Sequence, residues 1–149
     1  MKPIRLSVII ICLLISSAEG YAQVTTIPDQ AKEHFFKQYP DAKEVQWEND
    51  VVNVNVRFEQ DSNKLNAEYS NKGIWKRTLK DWTFDQIPGD VKEGLSKSKY
   101  AGREVLETKV VYLPGYVIQY RLKVEKSDFE RKYLFFNTEG RLVRTTVAL

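Results

Sequence analysis

The chain has 149 residues, with 23 basic and 20 acidic side chains, one histidine and one cysteine, for a formal net charge of +3. That length suits one domain or two intimately packed half-domains, and charges this evenly mixed lack the clustered basic face that phosphate backbones attract. A single imidazole and a single thiol exclude the usual zinc and copper ligand sets and leave little for nucleophilic catalysis.

Lys2 and Arg5 form a short basic start, and Leu6, Ser7 and the apolar run that ends at Ile15 follow. Small and polar residues close this segment at Gly20-Tyr21-Ala22. This is the layout of a secretory signal peptide, with cleavage expected after Ala22. A membrane span needs about 20 apolar residues, roughly twice the run present here, so no stable membrane insertion is expected once the leader is gone. Ile11 before Cys12 also lacks the small residue that a lipoprotein requires. Lys2, Arg5, Glu19 and Cys12 leave with the leader, so the mature chain carries a net +2 and no cysteine. Its stability must then come from a packed core.

Ile27-Pro28-Asp29 opens a helix whose apolar positions are Ala31, Phe35, Phe36 and Tyr39, and Pro40 ends it. Residues 42–48 read as a strand with Val45 and Trp47 on one side. From Val52 to Glu59 every second residue is apolar, and a second alternating run, Leu65, Ala67 and Tyr69 against Asn66, Glu68 and Ser70, follows the turn Gln60-Asp61-Ser62-Asn63. This predicts an antiparallel hairpin with one dry and one wet face. Asn71-Lys72-Gly73 turns into a fourth strand, residues 74–80.

At Ile87-Pro88 the series begins again. At an offset of 60, Ile27, Pro28, Lys32, Glu33, Lys37 and Val45 meet Ile87, Pro88, Lys92, Glu93, Lys97 and Val105. Later the offset is 67, and Gly73, Arg77 and Thr78 meet Gly140, Arg144 and Thr145. The extra residues are expected in loops near Tyr112-Leu113-Pro114-Gly115 and residues 125–130. The fold class expected is α+β: two tandem repeats, each one helix followed by a four-stranded antiparallel meander. Merged, they give a curved sheet of about eight strands with both helices on one face. The boundaries are residues 1–22 for the leader, 23–82 for the first repeat and 83–149 for the second.

No catalytic residue and no metal or cofactor site is assigned. His34 stands alone on the first helix, and the carboxylate pairs Asp81/Asp85 and Asp128/Glu130 read as solvated loop charges. Asp61-Ser62-Asn63 lacks the glycine and remaining ligands of a calcium loop. The aromatic residues, 3 Trp, 8 Tyr and 7 Phe, are the remaining candidates. Trp47 and Trp75 read as core, and Trp82 as a staple between the repeats. Leu134 and Phe136 align with the inward Ala67 and Tyr69, which places Tyr133 and Phe135 on the wet face where the first copy has Asn66 and Glu68. Apolar rings on such a face mark a contact surface. The candidate binding residues are therefore Arg121, Tyr133, Phe135 and Val143.

Ile27-Pro28 before a helix, the stretch YPDAKEVQWE that begins at Tyr39, its echo YAGREV at Tyr100, and the turns ending in Gly73 and Gly140 resemble the PepSY-like, beta-lactamase-inhibitor-like family of exported bacterial proteins. The resemblance spans essentially the whole mature chain, from about Ile27 to Val147. It implies a periplasmic or secreted location and, for some relatives, inhibition of an enzyme by the open sheet face; it carries over no functional residues. Together these readings suggest an exported, non-catalytic module that binds a protein or peptide of the cell envelope, and not nucleic acid. The alternative is a carrier of a small apolar ligand held between sheet and helices.

Overall fold

The computed structural model describes residues 26–50, 52–127 and 130–148. The leader and its expected cleavage point lie outside the described residues. Two helices, α1 (Asp29–Gln38) and α2 (Gly89–Ser96), each precede four strands. After α1 come β1 (Lys43–Asn49), β2 (Asn53–Gln60), β3 (Asn63–Ser70) and β4 (Trp75–Trp82). After α2 come β5 (Glu104–Leu113), β6 (Val117–Ser127), β7 (Glu130–Asn137) and β8 (Leu142–Val147). The eight strands form one sheet in chain order, and every neighbouring pair is antiparallel.

Alternation decides the faces. Val54, Val56 and Phe58 of β2, with Ala67 and Tyr69 of β3, bury themselves against Ala31 and Phe35 of α1. In the second half Leu122, Val124, Leu134 and Phe136 do the same against Val91 and Leu95 of α2. Thr78 and Trp82 lie an even number of residues apart on β4, hence on one side of it. Thr78 bonds to Tyr39 beside α1 and Trp82 packs on the α2 core, so both helices cover the same face. Phe36 departs from the expected stripe and is 52% exposed, because the covered face of so short a helix is set by the four-residue step from Ala31 to Phe35.

Two further devices shape the turns, and the second of them is shared by the halves. The β2–β3 turn is a two-residue connection in which Asp61 and Ser62 both take positive φ, the geometry that matches strand twist. The β3–β4 and β7–β8 turns each end in a left-handed glycine seated on a helix start. A Cβ on Gly73 would stand 2.9 Å from the Ala31 nitrogen, and one on Gly140 only 2.0 Å from the Asp90 carbonyl oxygen. Only hydrogen fits at these contacts.

The extra residues of the second half do not lie in loops as expected. They lengthen the strands instead. β5 and β6 have 10 and 11 residues where β1 and β2 have 7 and 8. The β5–β6 hairpin therefore projects past its counterpart. Its tip is Pro114–Tyr116, and Pro114 lines one groove with His34 and Lys37 of α1.

Candidate functional site

On the helix-free face the two halves differ in what they place between the strands. In the first half this face is polar. The Arg57 guanidinium donates to Glu48 at 2.8 Å, and Arg77 donates through both Nε and Nη2 to one oxygen of Glu68, at 2.8 and 2.6 Å. Glu68 is nearly covered by strand neighbours and tolerates that position because the guanidinium stays with it.

In the second half Phe135 occupies the place of Glu68. Glu68 is the register partner of Arg77, and Phe135 is the register partner of Arg144. The Arg144 guanidinium lies 3.8 Å from the centre of the Phe135 ring and has no carboxylate partner among the described residues. Partial burial, and then the nearby Arg77 and Arg121, hold the pKa of Arg144 below its usual value. Arg77, Arg121 and Arg144 thus gather in one part of this face, and two of the three have acids: Arg77 has Glu68, and Arg121 has Glu107 at 2.6 Å.

The sequence-predicted residues fall as follows. Tyr133 and Phe135 do point away from the helices, as the alternation requires. Phe135, however, is only 4% exposed and does not offer an open ring: it joins Leu79 and Val111 in a small cluster of its own. The curvature of the sheet lets side chains of β4, β5 and β7 meet across β6, which alternation within one strand cannot reveal. Tyr133 flanks this cluster half-buried, with the Arg121 guanidinium 4.4 Å from its ring centre. Val143 is 45% exposed, in the β-bulge of β8 between Leu142 and Arg144. Lys76 takes the corresponding bulge position of β4. The structure thus brings Arg121, Tyr133, Phe135 and Val143 to one region. Arg144, whose isolation from any acid is visible only in three dimensions, completes it.

A second feature lies on the helix side. Between the C-terminal end of α1, the β2–β3 turn and the projecting β5–β6 hairpin a cleft of about 770 Å³ opens, walled by Tyr39, Trp75, Tyr112 and Ile118. Sequence reasoning did not place these four together. The signal available was the length difference between the halves, since the added residues form one wall.

Among the described residues no group of three or more His, Cys, Asp or Glu side chains is placed to hold a metal ion. His34 is exposed on α1, with Nδ1 3.3 Å from the Tyr69 hydroxyl and its ring stacked on Trp75. No described helix is long and apolar enough to cross a membrane.

No family model matches the chain, and no curated protein matches it. Solved structures do. A DUF2874 family protein from Bacteroides ovatus is similar at 25% identity, over 82% of this chain and 88% of that one, with a TM-score of 0.72. A BLIP-like protein from Bacteroides fragilis is similar at 18% identity, over 83% and 87%, with a TM-score of 0.72. A protein of proposed periplasmic location from Bacteroides eggerthii follows at 20% identity, over 82% and 89%, with a TM-score of 0.70. The chain therefore has a BLIP-like α+β fold.

Proposed function

We propose that this chain is an exported, non-catalytic binding module that takes a protein or peptide segment presenting a carboxylate across the helix-free face of its second half. The observation that carries the reading is Arg144. The first half answers the corresponding arginine, Arg77, with Glu68, whereas the second half answers Arg144 with the ring of Phe135. Phe135 fills the place of Glu68, so a carboxylate supplied by a partner meets the Arg144 guanidinium from the solvent side and gives it the acid that Glu68 gives Arg77. Tyr133 and Arg121 supply the residue types in which interface energy concentrates, and the exposed Val143 adds apolar contact beside them.

Three finer readings accompany this one. The two halves, residues 23–82 and 83–149, are copies of one unit, diverged on the helix-free face where packing under the helices does not constrain them. The chain is PepSY-like and reaches the periplasm or medium after cleavage behind Ala22. Laid over an enzyme, the same face acts as an inhibitor.

A photoreactive benzoyl-phenylalanine at Val143 tests the docking face in the exported protein. The expected result is a light-dependent adduct that Arg144→Glu abolishes and that a glutamate-rich peptide displaces while its glutamine counterpart does not. Equal adducts from a probe at Asn55 on the first half, or no effect of Arg144→Glu, overturn the reading. The intact mass of the exported protein checks the leader, with Gln23 as the expected first residue.

A further inference from the structure

The cleft on the helix side is independent of the docking face and has its own chemistry. Aromatic and aliphatic side chains make most of its walls, with Gln38, Gln60, Asp61 and Lys80 among them, and two of the rings are fixed in place. The Tyr39 hydroxyl donates to Thr78 Oγ1 at 2.8 Å, and Trp75 Nε1 donates to the same oxygen at 3.0 Å. Thr78 is fully buried, so this shared acceptor holds both rings at the cleft wall before any ligand arrives. The opposite wall is the projecting hairpin, where Tyr112 faces the interior half-buried and Ile118 stands at the edge. Burial, and then Tyr120, raise the pKa of Tyr112, so its hydroxyl is a neutral donor at physiological pH.

One cation belongs to this lining. Lys80 of β4 is the register neighbour of Leu65 and Val110, and is half-buried. Its ammonium sits 4.6 Å from the centre of the Trp82 ring and has no carboxylate or hydrogen-bond partner among the described residues. Asp61 lines the rim of the same cleft but does not pair with it. Trp82 lies outside the cleft lining, so the flexible Lys80 side chain turns from that ring to meet a ligand; an unpaired ammonium beside aromatic and aliphatic walls is complementary to a single anionic head on an apolar body. The volume lies in the range of small-molecule sites.

We infer that this cleft is a binding site for a small monocarboxylate with an apolar body, alkyl or aryl, whose carboxylate meets Lys80 and Tyr112 while the body lies between Tyr39, Trp75 and Ile118. The inference does not rest on the docking face, which lies on the other side of the sheet. It gives the second half's longer hairpin a purpose, since without those added residues the cleft has one wall fewer.

Calorimetric titration of the mature protein with decanoate, decanol, decyltrimethylammonium and 2-naphthoate tests the inference, with backbone NMR shifts to locate the site. Decanoate is expected to saturate at one per chain, with shifts at Tyr39, Trp75, Tyr112 and Ile118. Decanol should bind about tenfold more weakly or worse, as the loss of a charge-assisted contact implies, and decyltrimethylammonium should not bind there. Lys80→Gln should reduce decanoate to the affinity of decanol, and Lys80→Arg should restore most of it. Ile118→Glu, at an exposed position away from both cores, should block both carboxylates without lowering the melting temperature. Whichever of decanoate and 2-naphthoate binds tighter identifies the body as alkyl or aryl. The inference is overturned if neither carboxylate binds, if decanol binds as well as decanoate, if Lys80→Gln changes nothing, or if the shifts fall around Arg144 and Tyr133.

Discussion

The two halves of the molecule solve one packing problem with different side chains. Under α1 the core is aromatic: Phe35 meets Phe58 and Trp47 edge to face, with ring centres 4.9 and 5.3 Å apart, and Tyr69 closes the layer. Under α2 it is chiefly aliphatic, built from Val91, Leu95, Leu122, Val124 and Leu134 with Phe136. Both cores are apolar and both rest on the same alternation. What is constant is therefore geometric: the step of four on the helix, the step of two on the strands, and a left-handed glycine seated on each helix start. What varies is chemical, and it varies most on the face no helix covers. There Glu68 with Arg77 in one half stands opposite Phe135 with Arg144 in the other.

The largest expected effect removes the geometric constant altogether. Val54 is fully buried beneath α1, so Val54→Asp places a carboxylate where nothing pairs with it. Burying an unpaired charge costs several kcal/mol, against a typical total stability of about 5–15 kcal/mol. Because the sheet continues without a break from β4 into β5, circular dichroism should show both halves lost together. Arg57→Gln on the other side of the same strand breaks only the exposed pair with Glu48 and should cost about 1 kcal/mol or less. Equal melts for the two variants would falsify the facing of β2.

Next come the two glycines, which look alike in sequence and differ in the room around them. At Gly140 an added Cβ meets the backbone carbonyl of Asp90 at 2.0 Å, and a backbone atom of the first helical turn cannot give way alone. At Gly73 the nearest atoms are 2.9 Å away. Both substitutions carry the left-handed cost of about 1–2 kcal/mol. Gly140→Ala should exceed it clearly, by about 1–3 kcal/mol more, comparable to other packing clashes. Urea denaturation of the two alanine variants measures the gap, and a larger loss at Gly73 would break the comparison.

How much of this was legible beforehand follows from the range of each interaction. The hairpin of β2 and β3 and the inward set Val54, Val56, Ala67 and Tyr69 are local patterns, and the alternation discloses them. The parallel between Gly73 and Gly140 is also visible as an offset of 67, though not the helix turn each one touches. The burial of Phe135 was not legible, because Leu79 and Val111 reach it across an intervening strand through sheet curvature. Nor was the cleft. Its residues come from α1, β4 and the β5–β6 hairpin, and no periodicity links them. Extra residues expected in a loop became longer strands, since alternation such as Tyr116 to Glu125 continues pairing for as long as a partner strand runs beside it.

A smaller effect is expected where the halves diverge. Arg77→Ala leaves Glu68 largely buried without its guanidinium, at a cost of about 1–3 kcal/mol. Arg144→Ala removes a contact with a ring and strands no charge, so about 1 kcal/mol or less is expected. Thermal melts of the two alanine variants decide it. If Arg144→Ala is the more damaging, that arginine serves the fold, and the case for its being held ready for a partner is weakened.

The smallest effect is silent at neutral pH. Burial raises the pKa of Tyr69, with Tyr39 adding to the shift, and burial likewise raises Tyr39 and Tyr112. In the second half Tyr100 shifts the other way, lowered first by its hydrogen bond with Thr145. A group whose folded pKa is raised contributes full stability below its unfolded value, 10.0 for tyrosine, and loses it as pH climbs from there through the folded value. The unfolded chain gives up those protons first, so alkali should favour unfolding through Tyr69 and Tyr39 of the first half and Tyr112 of β5, with the largest share from Tyr69. Tyr69→Phe keeps the ring in the core and removes the titrating hydroxyl, together with its 3.3 Å contact to His34. Its melting temperature should match the parent's to within a few degrees at pH 8 and fall less steeply above pH 10, as expected once one of the coupled protons is gone. Tyr100→Phe, at a residue whose pKa is lowered, should not flatten the alkaline limb. If it does so as strongly as Tyr69→Phe, the alkaline weakness is spread over the molecule and the aromatic core of the first half has no special part in it.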